Sequence, residues 1–188
     1  NPEIIISIDT FWAKTAQECV QAGADMINDI SAGEIDDKMF DTIAQLQVPY
    51  MIMHMQGTPK NMQNNPTYNN VVDEIISYFE EKIKLLKAKG IEQIIIDPGF
   101  GFGKTIAHNY QILNELEQFN QFEIPVLVGT SRKSMIYKLL DTTPQYALNG
   151  TSITNTMALQ KGASILRVHD VREAMECIKI TTFAKNLV

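Results

Sequence analysis

Short apolar runs alternate with longer segments of helical period along the whole chain. The runs predict six β-strands, over residues 3–9, 25–30, 49–55, 93–98, 125–130 and 164–169. Several are continuous, as in Ile94-Ile95-Ile96, which is typical of strands buried on both faces of a parallel sheet. The intervening segments predict helices over 11–22, 35–46, 70–89, 106–118 and 171–185, with a broken helical stretch over 132–161. The helix over 35–46 is expected to point Ile35, Met39, Ile43 and Leu46 inward.

Polar side chains lie at or just past the C-terminal end of every predicted strand. They are Asp9, Asn28 with Asp29, His54, Asp97, Ser131 with Lys133, and Arg167 with His169. A doubly wound sheet gathers its ligands at one switch point, whereas every strand end of a barrel faces the same mouth. The pattern therefore favours an α/β fold of the (β/α)8 TIM barrel type, with about six βα units present and residues 1–188 forming a single domain. Because a barrel closes with eight units, we expect the first two units to be missing at the N-terminal side.

Composition and charge exclude several classes of function. The 188 residues include 16 Lys and Arg against 22 Asp and Glu, without a basic stripe, so nucleic acid is not an expected partner. No apolar run reaches the roughly 18 residues that a membrane helix needs, so no membrane partner is expected either. Cys19 and Cys177 lie in predicted helices without CxxC spacing. They favour two ordinary thiols in a reducing, cytoplasmic compartment over a disulfide or a metal site.

The most distinctive stretch is Asp-Pro-Gly-Phe-Gly-Phe-Gly-Lys-Thr, residues 97–105. It ends like a P-loop, but the first glycine of that motif would fall on Pro98, which has no N–H for a phosphate. The glycines instead allow the backbone to turn tightly over a ligand. Asp97, at the strand tip, offers two acceptors to a donor–donor edge such as that of a pterin or guanine-like ring. A simpler role for Asp97, as a helix cap or loop-ordering group, stays open.

Three other strand ends carry weaker signals. Asp9 and Asn28 could each cap a following helix, and Asn28 is the better ligand candidate because an amide both donates and accepts. Lys133 is predicted in the first turn of a helix, where it opposes the helix dipole, so its presence needs another reason. Arg132 beside it could be surface charge.

The end of the last strand suits an anion. Arg167 and His169 alternate along the strand and would face the same side, where two donors fit a phosphate or diphosphate. The alternative is that Arg167 pairs with Asp170 or with another carboxylate. His54 and His108 lack metal-ligand spacing and are interpreted as structural.

Six segments, taken together and in order, resemble the dihydropteroate synthase family of pterin-binding barrels. They are Ser7-Ile8-Asp9-Thr10, Ile27-Asn28-Asp29-Ile30, Met53-His54-Met55-Gln56-Gly57-Thr58-Pro59, residues 97–104, Ser131-Arg132-Lys133, and Arg167-Val168-His169-Asp170-Val171. The resemblance implies condensation of 6-hydroxymethyl-7,8-dihydropterin diphosphate with p-aminobenzoate, which gives 7,8-dihydropteroate and diphosphate.

The resemblance also implies roles for particular residues. Pterin would be bound by Asp9, Asn28, Asp97 and Lys133. The p-aminobenzoate pocket, where sulfonamides bind in the family, would be lined by Phe102, Ser131 and Lys133. Diphosphate would be bound by Arg167 and His169, accompanied by Mg²⁺ whose family ligand, an Asn, lies in the two absent units, so no metal ligand is expected here. A homodimer through the last helices is likewise implied.

Two alternatives stay open. A pterin-dependent methyltransferase would share the barrel and the ring contacts, but would need no diphosphate site, so Ser131-Arg132-Lys133 and Arg167-Val168-His169-Asp170 favour the synthase. The other alternative is a non-catalytic pterin-binding fragment, because pterin contacts are present while the first two barrel units are not.

Overall fold

Strands and helices alternate throughout residues 4–58, 62 and 65–187, which the computed structural model describes. The strands are β1 (Ser7–Asp9), β2 (Met26–Asp29), β3 (Tyr50–Met53), β4 (Ile94–Asp97), β5 (Leu127–Val128) and β6 (Ile165–Leu166). The helices are α1 (Ala13–Gln21), α2 (Met39–Leu46), α3 (Val71–Ala88), α4 (Ile106–Asn114), α5 (Ser134–Tyr137), α6 (Leu148–Gln160) and α7 (Val171–Lys185). Two 3₁₀ helices cover Leu116–Phe122 and Pro144–Tyr146.

All described strand pairs are parallel and follow chain order. β1 to β4 form one sheet, β5 pairs with β6, and a single bridge between Ile96 and Val126 connects the two groups. A doubly wound sheet would reverse its strand order at a switch point, and this one does not. The fold is a partial (β/α)8 barrel, as the polar strand ends predicted.

Successive residues of each strand point to opposite faces of the sheet. Ile27, Ile52 and Ile96 belong to the large core between the strands and the helices. The alternate positions form a second, smaller apolar cluster, made of Met51, Ile95 and Leu127 with Met26 and Ile165 packed against it. This second cluster lies on the inner side of the curved sheet, and it is the floor on which the site is built.

Helix α3 illustrates how the outer layer is held. Asn70 caps its first turn, because its side-chain oxygen accepts from the Val72 backbone N–H at 3.0 Å. Ile75 and Phe79 are fully buried on the inner stripe. The helix stops before Gly90, whose φ of +76° is left-handed.

Helix α2 begins later than predicted. The carboxylate of Asp36 accepts from the backbone N–H groups of Ala13 at 2.8 Å and Lys38 at 3.0 Å, which fixes a turn before the helix. Met39 is buried, but Ile35 lies outside the helix and is 38% exposed. The expectation that Ile35 points inward was therefore wrong.

Other bounds also differ from the predicted ones. The helix predicted over 106–118 ends at Asn114 and continues as the 3₁₀ helix Leu116–Phe122. The strand predicted over 164–169 ends at Leu166. The strand predicted over 3–9 is β1 from Ser7 onward, and residue 3 lies outside the described residues, as does Pro59 of the third family-like segment.

Candidate active site

A cavity of about 280 Å³ opens at the C-terminal ends of the strands. It is lined by Asp9, Thr10, Phe11, Asn28, Ile30, Met53, Asp97, Phe102, Gly129, Lys133 and Arg167. Five of these lie two residues after a residue of the inner cluster, on the same strand or just past its end, namely Asn28, Met53, Asp97, Gly129 and Arg167. Because side chains on one face of a strand recur every two residues, the apolar inner cluster lies beneath a layer of mostly polar side chains that line the cavity.

Asp9 connects two neighbours at the mouth of the cavity. Its Oδ1 accepts from Asn28 Nδ2 at 2.7 Å, and its Oδ2 accepts from Arg167 Nη2 at 2.7 Å. The end of β1 and the segment after β6 thus meet through one carboxylate. The arrangement puts an acceptor, an amide and a guanidinium next to one another, which suits a polar ligand carrying an anionic group.

Asp97 is buried at the tip of β4. Its Oδ1 accepts from the Gly99 backbone N–H at 2.7 Å, so it orders the following loop while it also lines the cavity. The loop-ordering role of Asp97 is therefore confirmed, and its binding of a pterin-like edge stays a prediction. Burial raises the pKa of Asp97, and the nearby ammonium of Lys133 opposes that shift.

Lys133 is not in the first turn of a helix. Helix α5 begins at Ser134, and Lys133 precedes it with extended backbone. Its Nζ donates to the Phe100 carbonyl oxygen at 2.6 Å and lies 4.9 Å from the centre of the Phe102 ring. Burial lowers the pKa of Lys133. Lys133 therefore avoids the unfavourable interaction with the helix dipole that the sequence predicted, because it lies before the helix and its side chain extends into the cavity.

The glycines after Asp97 let two loops approach closely. Gly99 has φ +74°, and a Cβ built there would lie 1.9 Å from the His54 carbonyl oxygen. Gly103 has φ +62°, and its Cβ would lie 2.5 Å from the Gln56 carbonyl oxygen. Backbone packing of this kind holds Phe102, which lies between these glycines, at the wall of the cavity.

Ser131 and His169 lie beside the cavity and are not among the residues that line it. Ser131 Oγ lies 2.9 Å from His169 Nδ1, and the His169 backbone N–H donates to the same Oγ at 3.2 Å. Because β6 ends at Leu166, strand alternation does not extend to His169. The expectation that Arg167 and His169 share one strand face is corrected accordingly.

Arg132, which the sequence left open as a surface charge, has defined partners. Its Nε and Nη2 donate to the two carboxylate oxygens of Asp170 at 2.8 Å each, and its Nη1 donates to the carbonyl oxygens of Pro144 and Gln145. The bond from Arg132 lowers the pKa of Asp170. Asp170 is therefore engaged by Arg132, and Arg167 pairs with Asp9 instead.

Several lining residues had no role predicted from the sequence. Met53 and Gly129 could have been found by extending the two-residue alternation past the inner cluster. Phe11 and Ile30 follow the ends of β1 and β2, where alternation no longer applies. Asp29, a polar strand end, is structural: its carboxylate accepts from the backbone N–H groups of Ser31 and Gly33 and from the hydroxyl of Tyr50.

Neither a metal-binding cluster nor a membrane-spanning helix occurs in the described part of the chain. Residues 4–58, 62 and 65–187 contain no group of three or more His, Cys, Asp or Glu that could hold a metal ion. Among the same residues, no helix combines the length and apolarity needed to cross a bilayer.

Comparison with known proteins agrees with this geometry. The pterin binding enzyme family model matches residues 1–169. The dihydropteroate synthase of Escherichia coli K12 is 42% identical over 180 residues, which are 95% of this chain and 64% of that protein. The dihydropteroate synthase of Synechocystis is 40% identical over 181 residues, covering 95% of this chain and 63% of that protein.

Solved structures match over the same length. A Yersinia pestis dihydropteroate synthase in complex with a sulfonamide drug superposes with a TM-score of 0.96 at 40% identity, covering 99% of this chain and 68% of that one. A Xanthomonas albilineans dihydropteroate synthase in complex with 7,8-dihydropteroate gives a TM-score of 0.90 at 35% identity, covering 97% and 69%. The chain spans about 64% of the length of the curated E. coli relative. With residues 1–169 matched by the family model, the chain belongs to the pterin binding enzyme family.

Proposed function

We propose that this chain carries the pterin site and the acceptor site of a dihydropteroate synthase. The observation that carries the proposal is the convergence of Asp97, Asn28 and Asp9 on one cavity that Arg167 borders. The resemblance of the whole chain to dihydropteroate synthases, including one bound to 7,8-dihydropteroate, supports it. Residues 1–188 would form one pterin-binding barrel domain that works in the cytoplasm.

The pterin would lie on the apolar floor with its polar edge toward the strand ends. A carboxylate with two acceptors complements the amino group and the ring N–H of a pterin, which is the role assigned to Asp97. Asn28 and Asp9 would bind other positions on the ring, and Lys133 its carbonyl side. The buried position of Asp97 supports this, because a charge-assisted hydrogen bond is stronger where water is excluded.

The reaction proposed is displacement at the pterin methylene carbon. The bond from carbon to the diphosphate oxygen breaks, and diphosphate leaves with the electron pair. The amine nitrogen of p-aminobenzoate forms the new carbon–nitrogen bond and releases one proton. Positive charge that develops on the pterin would be stabilised by the carboxylates of Asp97 and Asp9.

Arg167 would bind the departing diphosphate. Its guanidinium lies at the mouth of the cavity and is 56% exposed at the side chain, so it can reach a ligand while it stays paired with Asp9. His169 would assist through its ring, which Ser131 orients. A methyltransferase would not need this arginine, which favours the synthase.

We further propose that Mg²⁺ accompanies the diphosphate. By the family resemblance, an Asn of the two absent βα units would hold the ion, which would help to neutralise the charge of the diphosphate.

The acceptor, p-aminobenzoate, would enter between Phe102 and Lys133. The ring of Phe102 offers an apolar face, and the Lys133 ammonium lies 4.9 Å from its centre. A benzoate ring with a carboxylate suits such a pair, and a sulfonamide would be an inhibitor of the same shape. Ser131 would form part of the pocket edge.

A homodimer through α6 and α7 is part of the proposal. Helix α7 carries the large exposed apolar side chains Val171, Met175, Ile180 and Phe183, and the exposed Leu187 follows its end. Exposed apolar side chains of this kind are typical of an interaction surface.

The experiment that tests the proposed function is release of diphosphate from dihydropterin diphosphate with and without p-aminobenzoate. Release that depends on p-aminobenzoate, and that a sulfonamide suppresses, would establish the synthase. Pterin binding without release would favour a non-catalytic pterin-binding fragment. Absence of both from the folded chain would overturn the proposal.

A further inference from the structure

The ammonium of Lys104 is buried in a cage of backbone oxygens. The residue is 4% exposed. Its Nζ donates to the carbonyl oxygens of His54 at 3.2 Å, Gly99 at 3.0 Å and Phe102 at 3.0 Å, and it lies 3.0 Å from His54 Nδ1. Among the described residues Lys104 forms no ion pair, so its ammonium is surrounded by neutral hydrogen-bond acceptors.

Such burial is costly, because an ammonium loses its hydration and no carboxylate directly replaces it. Burial lowers the pKa of Lys104 from 10.5 to about 7, and the charge of Asp97 only partly opposes this. It also lowers the pKa of His54 to about 3, so the ring that faces Lys104 stays neutral and can accept. An apolar side chain of similar length would avoid the burial of charge but would leave three buried carbonyl oxygens without a donor, so the role of Lys104 is to be sought in those oxygens.

The explanation lies in the loop between Asp97 and Lys104. Four of its carbonyl oxygens accept hydrogen bonds from side chains: those of Gly99 and Phe102 from Lys104, that of Phe100 from Lys133, and that of Gly103 from Tyr68. The Gly101 backbone N–H donates to Asn109 Oδ1 at 2.7 Å. The loop has no regular secondary structure, so side chains define its shape.

Lys104 holds this loop at both ends. Its ammonium joins Gly99, two residues after Asp97, with Phe102, and connects both to His54, which follows the end of β3. Without the Lys104 ammonium, the carbonyl oxygens of His54, Gly99 and Phe102 would lose the buried donor that they share. Phe102, whose ring packs against Lys133, would lose the anchor of its own backbone.

We propose that Lys104 is a positioning residue for the acceptor side of the pocket, whose ammonium fixes the loop over residues 99–102 to His54 and thereby holds the Phe102 ring at the cavity wall. Lys104 does not line the cavity and so does not touch the substrates. The identity of the acceptor, an arylamine acid, rests on the proposed function. The position of Phe102 does not, and it can be measured without any ligand.

The test uses the chain labelled with 4-fluorophenylalanine and observed by fluorine NMR. The Phe102 signal is assigned with Phe102→Leu, and free 4-fluorophenylalanine gives the reference position for a solvated ring. In Lys104→Met we expect the Phe102 signal to move toward that solvated position or to broaden, while the signals of the core rings Phe79 and Phe119 stay in place. An unmoved Phe102 signal in the folded variant overturns the proposal.

Lys82→Met is the matched control. Lys82 also donates to a loop carbonyl oxygen, that of Ala32 at 3.3 Å, but it contacts a different loop. We expect this control to leave the Phe102 signal unchanged, and an equal shift in both variants would contradict the proposal. If Lys104→Met does not fold, Lys104→Gln replaces it, because glutamine keeps two N–H donors on a shorter stem. We expect this variant to shift the Phe102 signal part of the way. An unshifted Phe102 signal in it would contradict the proposal.

Ligand titrations separate this inference from the proposed function. With pterin present, Lys104→Met should bind p-aminobenzoate or a sulfonamide about tenfold or more weakly, because a displaced pocket wall is costly. Its affinity for pterin alone should change much less. Equal losses for both ligands would indicate general damage and contradict a role on the acceptor side. If the wild type binds neither ligand, the proposed function fails, whereas the positioning role of Lys104 is still decided by the fluorine spectra.

Discussion

Arg167 donates from Nη2 to Asp9 Oδ2 at 2.7 Å, although 158 residues separate the two along the chain. Both side chains are more than half exposed, at 56% and 52%. An exposed pair of this kind contributes little to stability, because water screens the charges and two long side chains must be ordered. We therefore infer that the pair serves to bind a ligand that would contact both side chains.

Replacing Arg167 should therefore affect binding and leave folding largely intact. We expect Arg167→Gln to change the free energy of unfolding by less than about 1 kcal/mol. The same substitution should weaken diphosphate binding about tenfold or more, since it removes a charged donor. Urea unfolding and calorimetric titration with diphosphate measure the two effects. Arg172→Gln, which breaks an exposed pair with Glu176, is the control and should change neither; a similar loss of binding in both would contradict the role of Arg167.

Gly99 should tolerate no side chain. Its φ of +74° is strained for alanine, and the added Cβ would lie 1.9 Å from the His54 carbonyl oxygen. We expect Gly99→Ala to destabilise the fold on the order of 3 kcal/mol, from strain and overpacking together. Gly23→Ala is the matched control, because Gly23 also has positive φ but has open space around it, so it should cost only about 1 kcal/mol. Equal costs in urea unfolding would mean that the close approach at Gly99 is absent.

Stability below neutral pH should depend on His54. Burial lowers its pKa from 6.5 to about 3, so between these values the unfolded chain binds a proton that the folded chain does not. The contribution of His54 to stability is therefore present above pH 6.5 and is lost as the pH falls toward 3. The slope of that loss is at most about 1.4 kcal/mol per pH unit.

The measurement is the free energy of unfolding against pH for the wild type and His54→Gln. We expect the wild type to lose stability relative to the variant as the pH is lowered through this window. His108→Gln serves as the control, because His108 is less buried and caps the start of α4. Parallel pH profiles for the wild type and His54→Gln would contradict a neutral, buried His54.

The apolar face of α7 should control association. Ile180 and Phe183 are each 69% exposed there. We expect Ile180→Glu with Phe183→Glu to shift the mass measured by light scattering from dimer to monomer, since two buried carboxylates would oppose pairing. Leu85→Glu changes a comparably exposed leucine on α3 and should leave the mass unchanged. A wild type that is monomeric at all concentrations would contradict the proposed homodimer.

Much of the barrel could be predicted from the sequence, because its signals are local. The continuous run Ile94-Ile95-Ile96 indicates a strand buried on both faces, and polar residues at each strand end indicate one common mouth. Alternation with a period of two then places Asn28 and Asp97 in the cavity, and both line it.

The remaining features depend on contacts between distant segments. Whether Lys133 lies inside or before a helix depends on where α5 starts, and its carbonyl partner belongs to a loop 33 residues away. The burial of Lys104 depends on His54, which is 50 residues away. Asp36 shortens α2 by bonding to the start of α1, and nothing in the helical period of residues 35–46 indicates that contact.

The central claim is that the Asp97 carboxylate binds the polar edge of a pterin, and calorimetric titration with a pterin tests it most directly. The informative variant is Asp97→Asn, which keeps the size and an oxygen for the Gly99 N–H but presents an NH₂ where the ligand needs an acceptor. Asp25→Asn, an exposed aspartate that accepts from the Ile6 backbone N–H, is the control. We predict that the wild type and the control bind pterin, and that Asp97→Asn binds it about ten- to a hundredfold more weakly, a cost of roughly 1.5–3 kcal/mol. Equal binding by the folded Asp97→Asn variant, or no binding by the folded wild type, would contradict the account.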